Sequence, residues 1–315
     1  MSKVIYLDQN KWIDLARAFY GREDGEKYKD ILDIITTKVA NNEIILPMSV
    51  VHFIETARSV NPDRAERLAK FMLSLSKKFG ILPFNSIREN EVQQAILRKL
   101  GYTPKINIKD LVINRNIFYA VGGELKIEGL PNELEKELYT LIEDETILIK
   151  LLINAYMHQL SLDLKKEDEE VLEELEESRR KLNSELSTEM RLRLSIEDMA
   201  KGSLSRLTVN FLNNIGYDVK VFVDQFKTVE DWKDFFLGIP TMDIWINLNL
   251  NRDNDMNRKI HRNDLNDIAF LSIAVPYCDI VVTENYWANI LNTKKYDNKY
   301  NCIVLTDVND IQNYI

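Results

Sequence analysis

Apolar and polar positions alternate along this chain in two distinct rhythms. Val4-Ile5-Tyr6-Leu7 is a continuous apolar run that stops at Asp8-Gln9-Asn10. Such a run predicts a strand buried on both faces. Trp12, Ile13, Leu15 and Ala16 then follow at helical spacing. Tyr28–Val39 predicts an amphipathic helix, and Ile44-Ile45-Leu46 a second strand ended by Pro47. Ser49 reads as the cap of a further helix. Val50, Val51, Ile54 and Ala57 form its apolar side, and His52, Glu55 and Arg58 a polar stripe. Asn61–Phe79 predicts another helix, with Ala65, Leu68, Phe71, Met72 and Leu75 facing a core and Arg64, Arg67 and Lys70 forming a basic ridge. A strand at Gly80–Phe84 and a helix at Ile87–Leu100 complete this part.

Beyond Gly101 the rhythm becomes helical. Helices are predicted at Ile108–Tyr119, Asn132–Leu160, Lys165–Leu194, Phe222–Phe236 and Thr241–Asn249. In the third of these, Val171, Leu175, Leu182 and Leu186 make an apolar stripe on an acidic shaft, read as one arm of a helical hairpin. Strand-and-helix alternation returns at His261–Asn285. There Asn263 is a plausible cap, Ile268–Val275 an apolar helix, Pro276 its end, and Asp279–Thr283 a buried strand. Cys302–Leu305 predicts a last strand and Val308–Tyr314 a closing helix. The pattern predicts an α/β fold: a core of 1–100 and 261–315 with a short parallel sheet, and an all-helical insertion at 101–260.

Composition narrows the chemistry. No apolar run approaches the ~20 residues of a membrane span, and no signal peptide is visible. Two cysteines, Cys278 and Cys302, fall in apolar stretches and read as reduced and structural, as expected of a cytoplasmic protein. With three histidines and two cysteines, a thiolate or imidazole zinc site is disfavoured. Carboxylates dominate, and hard oxygen ligands point to magnesium or manganese. The net charge of -9 argues against broad phosphate binding, yet much of the acid is concentrated in Glu167–Glu177. A local basic groove remains compatible with it. There is no repeat, phosphate-binding glycine loop or nucleophile elbow.

The candidate site follows from strand ends. In open α/β sheets ligands gather at the carboxyl ends of strands. Asp8 stands there after the first strand, Glu55 on the helix after the second, and Asp264 and Asp267 one turn apart on the helix before Asp279–Thr283. Glu284 or Asp279 could add another acid. Carboxylates gathered without partners repel one another, and a divalent ion removes the conflict. Each residue also has a plainer reading. Asp8 could be a turn or cap, Asp14 a solvated helix residue, Glu55 a surface partner of Arg58 at i+3, and His52 a simple hydrogen-bonding histidine.

The order strand-Asp8-x-Asn10, Ser49 to Glu55 on a helix, Asp267-x-x-x-Leu271, then Val281-Val-Thr283 resembles the PIN-domain superfamily of metal-dependent nucleases. LDQNKWIDLA and NDLNDIAFLSIAVPYCDIVVTEN resemble the PIN-like proteins of prokaryotic toxin and phage-defence systems. The resemblance implies a three-layer α/β core around a short parallel sheet. It implies Asp8, Glu55 and Asp267 as metal ligands and catalytic acids, with Asp264 one turn before. Asn285 stands where the family often has a further acid, and the adjacent Glu284 is the substitute ligand. The implied activity is magnesium- or manganese-dependent cleavage of RNA, single-stranded or structured, tRNA included. Arg58, Lys259 or Arg262 would position phosphate, with Asn10 and Asn285 as further substrate contacts. An antitoxin or defence partner protein, and a homodimer through the insertion, stay open. Two rivals remain: a metal-dependent DNase, and a catalytically weak PIN-like scaffold.

Overall fold

The first apolar run forms β1, Lys3–Leu7, in a computed structural model that describes residues 2–59, 61–122, 131–141, 144, 147–150 and 164–315. β2 is Ile44–Ile45, β3 Gly80–Ile81, β4 Ile113–Asn114, β5 Ile280–Val282 and β6 Ile303–Leu305. Four of them make a parallel sheet in the order β2-β1-β5-β6. The chain leaves β1 toward β2, and β5 later fills the other side of β1, with Leu7 opposite Val282. Connections therefore diverge between β1 and β5, a topological switch point whose crevice opens at the strands' carboxyl ends. Burial on both faces explains the unbroken apolar runs: Ile5, Leu7, Ile280, Val281 and Val282 are fully buried.

The chain divides into two compact units. The first comprises 1–83, 112–166 and 277–315, and the second 84–111 and 167–276. This division differs from the one the sequence suggests. The helix Phe84–Lys99 and the segment 261–276, expected in the core, belong to the second unit, whereas 112–166 belongs to the first. Side-chain packing is the reason. Val92 and Ile96 share a buried cluster with Ile196, Leu204, Phe222 and Met242, all in the second unit.

In the first unit, Trp12 is fully buried, its ring edge-on to His52 and Phe71. The helix Val50–Ala57 follows Ser49, and the helix Pro62–Ser76 is capped by Asn61, whose side chain accepts from Arg64 N at 3.1 Å. Past Gly101 the expected Ile108–Tyr119 helix is broken. Ile108–Val112 is helical, β4 pairs antiparallel with β3, and Ile117–Val121 is a 3-10 turn. That turn crosses directly over Gly80, where a Cβ would lie 2.8 Å from the Asn116 carbonyl oxygen, so a side chain is excluded. Most of the predicted Asn132–Leu160 helix beyond Leu141 lies outside the described residues.

The expected Lys165–Leu194 helix is two helices, Leu164–Glu185 and Thr188–Lys201. The second is started by Ser187, whose hydroxyl accepts from Met190 N. Val219–Val223 and Val229–Leu237 likewise replace one predicted helix, with Thr228 and Asp231 capping the latter reciprocally. Among the described residues, no helix is long and apolar enough to cross a membrane.

Candidate active site

Asp8 emerges from β1 as the cap of the helix Gln9–Phe19; one carboxylate oxygen accepts from Gln9 N at 2.7 Å. Its backbone N–H donates to Val282 O at 2.9 Å, which places it at the carboxyl ends of both β1 and β5. Thr283 follows β5 and directs its hydroxyl at the second Asp8 oxygen from 3.5 Å, the outer limit of a hydrogen bond. Glu284 is the next residue and accepts from the Asn10 amide at 2.8 Å. Lys11 reaches past Asp8 to the Thr306 carbonyl at 2.6 Å.

Glu55 reaches this end of the sheet through His52. Ser49 N–H donates to His52 Nδ1 at 3.0 Å, so Nδ1 is an acceptor and the ring proton sits on Nε2. Nε2 then donates to the Leu7 carbonyl at 2.8 Å, joining the Val50–Ala57 helix to the last residue of β1. Gln9 adds a second tie, donating to the Thr56 hydroxyl at 2.9 Å. Burial pushes His52 down to about 4, so it is neutral at physiological pH.

The acids affect one another. Burial, and then the charge of Glu284, push Asp8 up to about 6 despite its hydrogen bonds and the nearby Lys11. Burial, and then the charge of Asp8, push Glu55 up to about 7 against the opposing charge of Arg58. Asp8, Glu55 and Glu284 thus form one electrostatically coupled group in the first unit. Asn285 begins the helix that follows Glu284 and is exposed.

Asp264 and Asp267 lie in the second unit. Asp264, expected as a metal ligand and catalytic acid, is buried, and both its oxygens are engaged by Arg258 at 2.6 and 2.7 Å. It also accepts from His261 N at 2.8 Å. The helix Arg262–Tyr277 begins one residue before Asn263, so Asp264 is the acid in the first turn that reaches back to the capping N–H. Pro276 is not beyond the helix but within its last turn. Asp267 is half-buried on the same helix. Lys259 is exposed and Arg262 half-exposed near the start of that helix. The acidic shaft also contributes to packing, since Glu176 accepts from Ile260 N at 2.6 Å and pairs with the buried Arg179 at 2.6 Å.

The donor set of the first unit is hard oxygen throughout, with two carboxyls held above their ordinary range partly by neighbouring acids. In kind this suits magnesium or manganese. Among the described residues, no three histidine, cysteine, aspartate or glutamate side chains stand close enough together to hold a metal ion as placed. A cation there would have to draw the acids inward.

Three roles in the site go beyond what the sequence showed. His52, expected to be a simple hydrogen-bonding histidine and found to be one, also positions the Glu55 helix, Thr283 faces Asp8, and Lys11 moderates its charge. The first had a signal, since Ser49 followed three residues on by a side-chain acceptor is the spacing of a reciprocal cap. The other two depend on β5 and the stretch after β6 coming beside β1, which spacing does not report.

No protein family, curated protein or solved structure matches the chain.

Proposed function

We propose that this chain is a PIN-like, metal-dependent nuclease that hydrolyses RNA phosphodiesters, acting as a toxin or defence effector of prokaryotic type. The observation that carries the reading is the coupled group at the switch point: Asp8 and Glu55, raised to about 6 and about 7, with Glu284 beside them. Carboxyls raised by burial and by one another's charge cluster at functional sites. Asp8, Glu55 and Glu284 would hold magnesium or manganese; Asp267 is assigned by the resemblance alone. When bound, the metal supplies acidification of water and stabilisation of charge on a phosphoryl oxygen. The protein's own groups do the rest. Asp8 is oriented by Gln9 N–H, Glu284 by Asn10, and the Glu55 helix by His52.

A second reading, a catalytically weak scaffold, is favoured by one observation: Asp264 is committed to Arg258. The test is cleavage of labelled total RNA, tRNA included, and of single-stranded DNA. Wild type, Asp8→Asn and Asp267→Asn are compared in manganese, magnesium and chelator. RNA fragments that require metal and Asp8 support the proposal. Cleavage of DNA alone changes the polymer. Cleavage of neither favours the scaffold.

A further inference from the structure

Within the first unit, the helices Gln9–Phe19 and Pro62–Ser76 flank a cleft of about 310 Å³. Arg17, Arg22, Arg64 and Arg67 line it, with Tyr20 beside them and Leu68 contributing apolar surface. Two of the four guanidinium groups are neutralised. Arg17 pairs with Asp14 at 3.0 Å and with Asp24 at 3.2 Å, and Arg22 pairs with Asp24 at 3.1 Å. Arg64 and Arg67 have no acidic partner among the described residues, whereas Lys70, one position along the same ridge, is paired with Glu66 at 2.8 Å. The two uncompensated cations are exposed and stand one helical turn apart, about 5–6 Å at their Cβ atoms. In a chain of net charge -9, this is a local concentration of positive charge against the general trend.

Aromatic surface accompanies the charge. Tyr20 is 43% exposed and Phe19 59% exposed, although both are large rings. The Tyr20 hydroxyl donates to the Arg67 carbonyl at 2.9 Å, which ties this lining residue to the helix that carries the two arginines. Guanidinium groups beside a fixed, solvent-facing aromatic ring are the elements of single-strand recognition, in which cations follow phosphates and a ring stacks on a base.

The position relative to the acids is set by one helix. Asn10, Ile13, Arg17 and Tyr20 recur at steps of three and four, so they occupy one face of Gln9–Phe19 and its C-cap. Asn10 at one end bonds Glu284, and Arg17 and Tyr20 at the other line the cleft. The distance from Gln9 to Arg17 along the axis is about 12 Å, at ~1.5 Å per residue. An extended strand of a few nucleotides spans it.

We infer that this cleft binds the phosphate backbone and one base of a single-stranded polynucleotide, RNA or DNA. Its strand runs along that helix face from the carboxylate group. The identification of the strand as substrate rests on the nuclease reading; the binding site does not.

Binding is measured by fluorescence anisotropy with short labelled oligouridylate and oligothymidylate, in chelator so that nothing is cut. The full chain is compared with Asp8→Asn, the double variant Arg64→Ala/Arg67→Ala, and Tyr20→Leu, each checked for an unchanged melt. The double variant binds at least about tenfold more weakly, and its salt slope falls by about 1.4, two phosphates at ~0.7 each. Tyr20→Leu loses about tenfold at an unchanged slope, as expected for one stacked base. Asp8→Asn binds at least as tightly as wild type. The two oligomers identify the sugar preferred. Failure of both oligomers to bind wild type, or binding of the double variant with the same affinity and slope, overturns the inference. So does uridine monophosphate competing as well as the oligomer. Arginine-dependent binding without any cleavage would retain the cleft and remove the nuclease; cleavage indifferent to both arginines would do the reverse.

Discussion

His52 Nε2–H donates to the Leu7 carbonyl at 2.8 Å, and this bond positions the helix of Glu55 against the strand that ends in Asp8. The ring is fully buried, stacked on Tyr6 with centroids 5.4 Å apart. His52→Ala removes this bond and the Ser49 bond and leaves a cavity, a cost of about 2–4 kcal/mol in urea denaturation. The pH dependence has a definite sign. His52 sits at about 4 when folded against an ordinary 6.5, so its stabilising contribution is full above about 6.5 and is lost as pH falls toward 4. The gap between wild type and His52→Ala therefore narrows between pH 7 and pH 4 (about these limits). A gap independent of pH would show that the histidine is not buried neutral.

Asp8 and Glu55 have the opposite sign. Their folded values lie above the ordinary 3.8 and 4.5, so stability decreases as pH rises through those values toward about 6 and about 7. Asp8→Asn keeps a side-chain oxygen for the helix cap and removes the charge. It should stabilise the chain above pH 7 by roughly 1–2 kcal/mol, a gain that disappears near pH 4. Melting curves across this range check it; an Asp8→Asn that destabilises at high pH would contradict the coupled group.

Metal removal gives the complementary result. Manganese in excess should raise the melting temperature, by the equivalent of about 2.7 kcal/mol at a hundredfold over Kd, and chelator should reverse it. Because protons compete for the same oxygens, the effect should be largest above pH 7 and fade below about pH 6. Asp8→Asn and Glu55→Gln should each abolish most of it.

Asp264 is predicted to be structural. Arg258→Ala leaves a buried carboxylate with its ion-pair partner gone and should cost about 3–5 kcal/mol in the second unit. Asp264→Asn can still accept from His261 N–H and should cost less. Any cleavage activity should follow the folded fraction of Asp264→Asn, measured by circular dichroism beside the cleavage assay. Activity lost from a fully folded Asp264→Asn would restore it to the catalytic set.

Much of the fold was legible because it is encoded locally. The runs Val4–Leu7 and Asp279–Thr283 mark strands buried on both faces, and Ser49 and Asn61 stand where helices begin. Asp8 was visible because a polar residue directly after an apolar strand is an anomaly in its own neighbourhood, and Glu55 because it lies on the polar stripe of the helix that follows the second strand. Failures came where the partner was distant. Ile108–Tyr119 has helical spacing throughout, yet pairing with β3 draws Ile113-Asn114 into a strand. Phe84–Lys99 follows the core in sequence, yet packs with Phe222 and Met242.

The sequence alone determined the sites of the four parallel strands, the helix starts at Ser49 and Asn61 and the acid after the first strand, because spacing and capping act over a few residues. Tertiary structure alone decided which strand lies beside β1, and hence that Thr283 and Glu284 meet Asp8. It also decided that His52 holds Glu55 in place and that Arg258 occupies Asp264. Those outcomes depend on which groups burial brings within hydrogen-bonding and Coulomb range, and desolvation makes each contact decisive.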